Sequence, residues 1–247
     1  MSADVSKAVR QLLEARRSGV QVKPPFALPD RAAVYAIQDG VAKATGPVAG
    51  WKVGARTLTA EPNPAPLLAG ALVKSPARFD GKTMHMIGVE IEISFHIAKD
   101  IAPRAEPVGR DEALDAVGDA FVGLEVVDTR LADFKSADPE WLLADNQMNH
   151  ALVVGDAITD WKRLDWASLR VKLVIDGKTE VEQIGGLGAV DPVRPLAWMI
   201  DHTVRHRGGI RKGQAITTGS WTGLRYYSPG TRARGEFAGL GAVEASF

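Results

Sequence analysis

The chain has 247 residues, 45% hydrophobic and 24% charged, a length and composition that close one sizeable core and exclude disorder as the default state. Thirty basic residues balance thirty acidic ones, so no global field draws the protein to nucleic acid or to an anionic membrane. Cysteine is absent, which removes disulfides, thiolate nucleophiles and sulfur-ligated zinc, and leaves oxygen and imidazole as the donors for any metal.

Val5, Val9, Leu12 and Leu13 recur at helical spacing over residues 2–17, and Ser18 and Gly19 end the pattern. A joint with Pro24, Pro25 and Pro29 follows. Asp30 then caps a second predicted helix, with Val34, Ile37 and Val41 on one side, that runs to Gly46 and Pro47. These two helices are expected to form an appendage over 1–47, with the catalytic domain over 48–247. No run approaches the roughly 18 apolar residues of a membrane span, since Gly70 interrupts the longest, at 67–73. Nor do the first residues carry an apolar signal core, and Asp4 and Glu14 are foreign to a transit peptide, so the expectation is a cytoplasmic enzyme.

From Val48 onward short β-type runs dominate, at 50–54, 88–97, 121–129, 151–154, 171–175, 215–218 and 243–247. Helical stretches are expected at 110–120, 139–146 and 192–207. The predicted class is mixed α+β, not a regular βαβ series. Asp-Gly-Lys-Thr at 80–83 and again at 176–179 reads as two turns. Neither is a phosphate loop, because Pro76 and Lys172 stand where that loop needs glycine. Gly239-Leu240-Gly241 precedes a strand, so it is no dinucleotide fingerprint, and Ser220 lies one position too early for a nucleophile elbow. His202 and His206 share a helix face without the glutamate of a zinc protease, and are expected to be solvated.

The chemistry concentrates in carboxylates. Val89, Ile91, Ile93 and Phe95 alternate with Glu90, Glu92, Ser94 and His96, so a strand here projects both glutamates from one face, about 7 Å apart. That pattern fits a wet polar face or a metal site. Glu125 lies inside the apolar run 121–127, where an isolated carboxylate is costly unless a cation or a metal meets it. Three convergent carboxylates form a hard oxygen site suited to Mg²⁺ or Mn²⁺.

Five segments together resemble a known family. Gly-Trp-Lys-Val-Gly at 50–54, Val-Glu-Ile-Glu-Ile-Ser-Phe at 89–95, Leu-Glu-Val-Val-Asp-Thr-Arg at 124–130, Ala-Asp-Asn at 144–146 and Thr-Thr-Gly-Ser at 217–220 occur in the order and spacing of the 2-keto-4-pentenoate hydratases and their 4-oxalocrotonate decarboxylase relatives, in the fumarylacetoacetate hydrolase superfamily. The resemblance extends to Tyr35-Ala36-Ile37-Gln38 and to Gly239-Leu240-Gly241. It implies a mixed, strongly folded β-sheet roll with flanking helices, assembled into homo-oligomers. It also implies Glu90, Glu92 and Glu125 as metal ligands, Lys52 as the group that handles protons, and Thr218-Gly219-Ser220 as the turn that meets the substrate's carboxylate.

Two positions depart from the family pattern. Asn63 stands in Pro62-Asn63-Pro64-Ala65 where the family has an acidic residue implicated in proton transfer, and an amide orients water but is no base near neutral pH. His150 takes a position that is usually small. The function implied is hydration of a 2-hydroxy-2,4-dienoate, a small unsaturated 2-oxo acid substrate, to a 4-hydroxy-2-oxo acid. Decarboxylation of an oxo-enedioate and hydrolysis of an acylpyruvate are the alternatives from the same superfamily, and a non-catalytic scaffold is the alternative from outside enzymology. For proton transfer Lys52 is expected to titrate below an ordinary lysine; its other reading is a salt bridge to one of the glutamates.

Overall fold

The computed structural model describes residues 2–28, 30–55, 60–186 and 191–247; Pro29 of the proline joint lies outside them. Helices α1 (Ala3–Ser18) and α2 (Arg31–Thr45) come first, capped by the Ser2 and Asp30 side chains as their sequences demand. Then follow β1 (Gly50–Gly54), β2 (Asn63–Leu67), β3 (Leu72–Lys74), β4 (Ala77–Arg78) and β5 (Ile87–Ile97). After these come α3 (Arg110–Asp115), β6 (Val117–Val127), α4 (Pro139–Ala144), β7 (Asn149–Ile158), β8 (Arg170–Ile175) and β9 (Lys178–Ile184). The chain closes with α5 (Val193–His206), β10 (Ala215–Ser220), β11 (Arg225–Tyr227), β12 (Arg232–Phe237) and β13 (Gly241–Ser246).

The strands form two sheets. The larger runs β2-β1-β10-β5-β6-β7-β3, with β11 also paired to β5, and the smaller runs β4-β13-β12-β8-β9. Three pairings are parallel, β1 with β10, β3 with β7 and β4 with β13, and the rest are antiparallel. Alternation sorts the long central strand. Val89, Ile91, Ile93 and Phe95 are fully buried in the main core, where a Cβ on Gly235 of β12 would run into Ile91. The glutamates of β5 therefore face away from the smaller sheet, toward the side where α2, α4 and the turn 146–148 gather.

A second core joins α1 and α2 to α4 through Val5, Leu12, Val34, Ile37 and Trp141. Gln38 of α2 is fully buried, and its amide donates to the carbonyls of Pro64 in β2 (3.1 Å) and Leu143 in α4 (2.8 Å). Asp145 is likewise buried. It accepts from Arg130 Nε (2.7 Å), from the Arg130 backbone (3.0 Å) and from Arg16 of α1 (3.1 Å).

Several boundaries differ from the sequence reading. The helix expected over 110–120 stops at Asp115, because Val117 and Ala120 pair with Ile97 and Phe95 and start β6 early. β2 contains Pro64 and Pro66, a composition that hid it; it survives as the edge strand of its sheet, where a missing N–H costs little. Asp176 and Gly177, both with positive φ, make the hairpin between β8 and β9, whereas Gly81–Thr83 is a short helical turn. His202 is not solvated: it is half-buried, stacked on Trp198 at 4.8 Å between ring centroids and edge-on to Tyr35. Among the described residues no helix is long and apolar enough to cross a membrane.

Candidate metal centre

Antiparallel register brings the carboxylates together. Glu90 of β5 pairs directly with Glu125 of β6, and Glu92 follows two residues along the same face, opposite Gly123. One carboxylate oxygen from each of Glu90, Glu92 and Glu125 lies within 4.8 Å of the other two. Gly123 keeps that space open, since a Cβ there would sit 2.5 Å from Ser94 Oγ.

Each acid has its own surroundings. Glu92 is 2% exposed and accepts from the Gly219 backbone N–H (2.8 Å) and from the Thr217 hydroxyl, which in turn accepts from Ser94 (2.8 Å). Glu125 is fully buried, and its Oε1 accepts from Lys52 Nζ (2.5 Å) and Asn149 Nδ2 (2.8 Å). Its Oε2 is buried with no hydrogen-bond partner among the described residues. A bare carboxylate oxygen in such a place is costly, and with two further carboxylates beside Glu125 the arrangement is one that a divalent cation resolves. The donor set and the orphaned oxygen fit a hard metal ion.

Protons respond to the same crowding. Burial, then the charge of Glu125, pushes Glu90 up to about 7 against the pull of Lys52 and of the nearby Ser220 hydroxyl. Glu92 is pushed up to about 8 by burial, Glu125 and Glu90. Burial on its own would lower Lys52, but Glu125, Glu90 and Glu92 outweigh it and hold the ammonium above its ordinary range. This corrects the expectation of a depressed lysine. Three carboxylates within reach keep the proton on Nζ when no metal shares their charge.

Lys52 also donates to the carbonyl of Gln147 (3.3 Å). That carbonyl sits in a turn of three successive left-handed residues, Asn146, Gln147 and Met148, with φ of 53°, 51° and 59° and no glycine among them. Such strain persists where the surroundings over-determine it, here Asp145 on one side and β7 on the other.

The remaining expected site residues are distributed around this centre. Asn63 opens β2, opposite Gly54, and its Oδ1 accepts from Arg31 (2.7 Å) while its carbonyl accepts from Gln147. Thr218 donates to the Ile93 carbonyl (2.8 Å), Gly219 to Glu92, and Ser220 is paired with Glu92 across the strands. His150 is on the outer side of β7, edge-on to Phe79 at 5.7 Å. Sequence reasoning missed Thr217, Asn149 and the Gln147 carbonyl. Ser94 was legible as the next residue on the face of Glu90 and Glu92, but a backbone carbonyl in a strained turn leaves no side-chain signal.

No family model matches the chain. Two curated relatives do, both 4-oxalocrotonate decarboxylases. One, from a Pseudomonas species, is 28% identical over 162 residues, 64% of this chain and 59% of the relative. The other, from Pseudomonas putida, is 28% identical over 138 residues, 55% of this chain and 51% of the relative. The matches thus span little more than half the length of these relatives. Among solved structures, 4-oxalocrotonate decarboxylase from Pseudomonas putida G7, complexed with magnesium and adipate, superposes with a TM-score of 0.82 at 21% identity, over 98% of this chain and 97% of that one. Fumarylpyruvate hydrolase from Pseudomonas aeruginosa, in complex with Mn²⁺ and pyruvate, gives 0.57 at 16% identity over 79% and 87%. At such identities a structural likeness speaks for the fold. The chain has the fumarylacetoacetate hydrolase fold, and in sequence and fold it resembles the 2-keto-4-pentenoate hydratase and 4-oxalocrotonate decarboxylase branch of that superfamily.

Proposed function

We propose that the protein is a divalent-metal-dependent lyase that hydrates a 2-hydroxy-2,4-dienoate to a 4-hydroxy-2-oxo acid. The observation that carries this reading is the triad Glu90, Glu92 and Glu125, with one bare buried oxygen, next to a buried lysine. These three would hold Mg²⁺ or Mn²⁺, which when bound supplies a Lewis acid for the 2-oxo group and its carboxylate. Lys52 carries its proton on Nζ at the inner end of the site and relays it to the dienol as that ketonises. Ser220 is the member of the 218–220 segment left to meet the substrate's carboxylate, because the Thr218 hydroxyl and Gly219 N–H are already engaged. Asn63, tied to Arg31, orients and does not deprotonate.

The second reading is decarboxylation of an oxo-enedioate, which both curated relatives favour. It draws on the same electron sink and needs no base to activate water, and Asn63 offers none.

Loss of the ultraviolet absorbance of 2-hydroxypenta-2,4-dienoate, followed with Mg²⁺ and then with excess chelator, tests the proposal. Metal-dependent loss with formation of 4-hydroxy-2-oxopentanoate supports it. Metal binding without loss of the dienol, alongside CO₂ release from 2-oxohex-3-enedioate, transfers the assignment to the decarboxylase.

A further inference from the structure

The face of β5 that carries Glu92 and Glu90 continues to Gly88, which has no side chain. Gly88 pairs with Val127 on one side and with Tyr226 of β11 on the other. Paired residues of an antiparallel ladder project from the same face, so Tyr226 stands beside Glu90 at the outer end of the carboxylate row. The Tyr226 side chain is 53% exposed, unusual for so large a ring among the described residues. Its ring centroid is 6.3 Å from that of Phe134, tilted by 49°. Phe134 belongs to the short helical turn Phe134–Ser136, which lines a cavity of about 500 Å³ with Gln21, His85 and Asp133.

The face therefore has a direction. Thr217 and Ser220 flank Ser94 and Glu92 at one end, the three acids occupy the middle, and two aromatic rings stand at the other end. From Glu90 to Gly88 is about 7 Å along the strand, the reach of a chain of about five carbons.

We propose that Tyr226 and Phe134 seat the distal end of the substrate and select a neutral, apolar distal group over a distal carboxylate. This rests on the reading that the site takes a 2-oxo acid with its carboxylate end at Ser220. An alkyl or aryl group in that seat removes apolar area from water against two rings. A carboxylate there would lose hydration against ring faces of negative potential.

The test is calorimetric titration of the Mg²⁺-loaded protein with 2-oxopentanoate, 2-oxooctanoate and 2-oxoadipate, for the wild type, Tyr226→Ala, Tyr226→Phe and Phe134→Ala. The wild type is expected to bind 2-oxooctanoate about tenfold more tightly than 2-oxopentanoate, and 2-oxoadipate more weakly than either. Tyr226→Ala and Phe134→Ala should each collapse the tenfold ratio to about twofold, while Tyr226→Phe retains it. If none of the three acids binds, the functional reading fails and takes the proposal with it. If 2-oxopentanoate binds but the longer chain gains nothing, the functional reading stands and the proposal alone is overturned. Preference for 2-oxoadipate overturns it too and moves the distal carboxylate to Lys135, which lines the same cavity as Phe134. So does an unchanged ratio in Tyr226→Ala together with an altered oligomeric state, which would assign the exposed ring to a contact between copies.

Discussion

Lys52 Nζ and Glu125 Oε1 meet at 2.5 Å although their strands, β1 and β6, lie three places apart in the sheet. In a flat sheet the two backbones would be about 14 Å apart. The contact exists because the sheet curls and both side chains point into the curl. The ion pair offsets the burial of each charge, and it engages only one of the two Glu125 oxygens.

Replacing Lys52 by methionine leaves that oxygen with Asn149 Nδ2 alone. Mg²⁺ affinity measured by calorimetry is expected to hold or rise up to about tenfold, while turnover falls by at least about a hundredfold. Undiminished turnover would remove the lysine from proton transfer.

Glu92→Gln and Glu125→Gln act on the metal itself. Each is expected to weaken Mg²⁺ binding by about a hundredfold or more and to abolish metal-dependent turnover. Full activity in either variant would show that the metal is held elsewhere. Circular dichroism separates this effect from loss of fold, which is the greater hazard for Glu125→Gln because it leaves the Lys52 ammonium buried without its partner.

The pH dependence has a definite sign. Glu90 and Glu92 titrate near 7 and 8 when folded, far above the ordinary glutamate value of 4.5, so between those values the native protein holds protons that the unfolded chain has released. Their contribution to metal-free stability is complete below 4.5 and is lost as pH rises through 7 and 8. His202, driven down to about 4 chiefly by burial, acts in the opposite sense, but only below its ordinary 6.5. Thermal melts with chelator should therefore show Tm falling between pH 6.5 and 9, and Mg²⁺, which displaces the same protons, should remove the fall. A rise in the metal-free Tm over that interval would contradict the assignment.

Gly123→Ala tests the space between the acids. The new Cβ would crowd Ser94 Oγ and, through it, the Thr217 hydroxyl that holds Glu92. A loss of about 1–3 kcal/mol in denaturant unfolding is expected, with weaker metal binding. Adding Ser94→Ala, which leaves the Ser94 Cβ at 3.4 Å, should restore most of the stability; no recovery would place the strain elsewhere.

Much of this was legible from local pattern. Ser2, Gly19 and Asp30 mark helix ends by side-chain capping and left-handed backbone, which are sequence-local effects. The alternation of Glu90 and Glu92 against a run of β-branched residues places both on one face without any knowledge of the fold. Register is different. That Glu90 faces Glu125, and that Lys52 reaches across from β1, depends on strand order and curl, which residue spacing does not encode. Val117 likewise has a good place in a helix until pairing with Ile97 claims it. The raised proton affinity of Lys52 was misjudged for the same reason: burial is visible in composition, but the sum of three converging charges is not.

The clasp of Arg16 on Asp145 joins groups separated by 129 residues. Closing so wide a span is entropically costly, and Arg130, through its Nε and its backbone N–H, shares the Asp145 carboxylate that rewards it. The docking of helix α1 is thus a non-local contact, fastened at a buried carboxylate next in the chain to the left-handed turn. Through Asp145 the appendage and the site share one anchor: Arg16 holds the carboxylate from α1, and the turn that follows it presents the Gln147 carbonyl to Lys52.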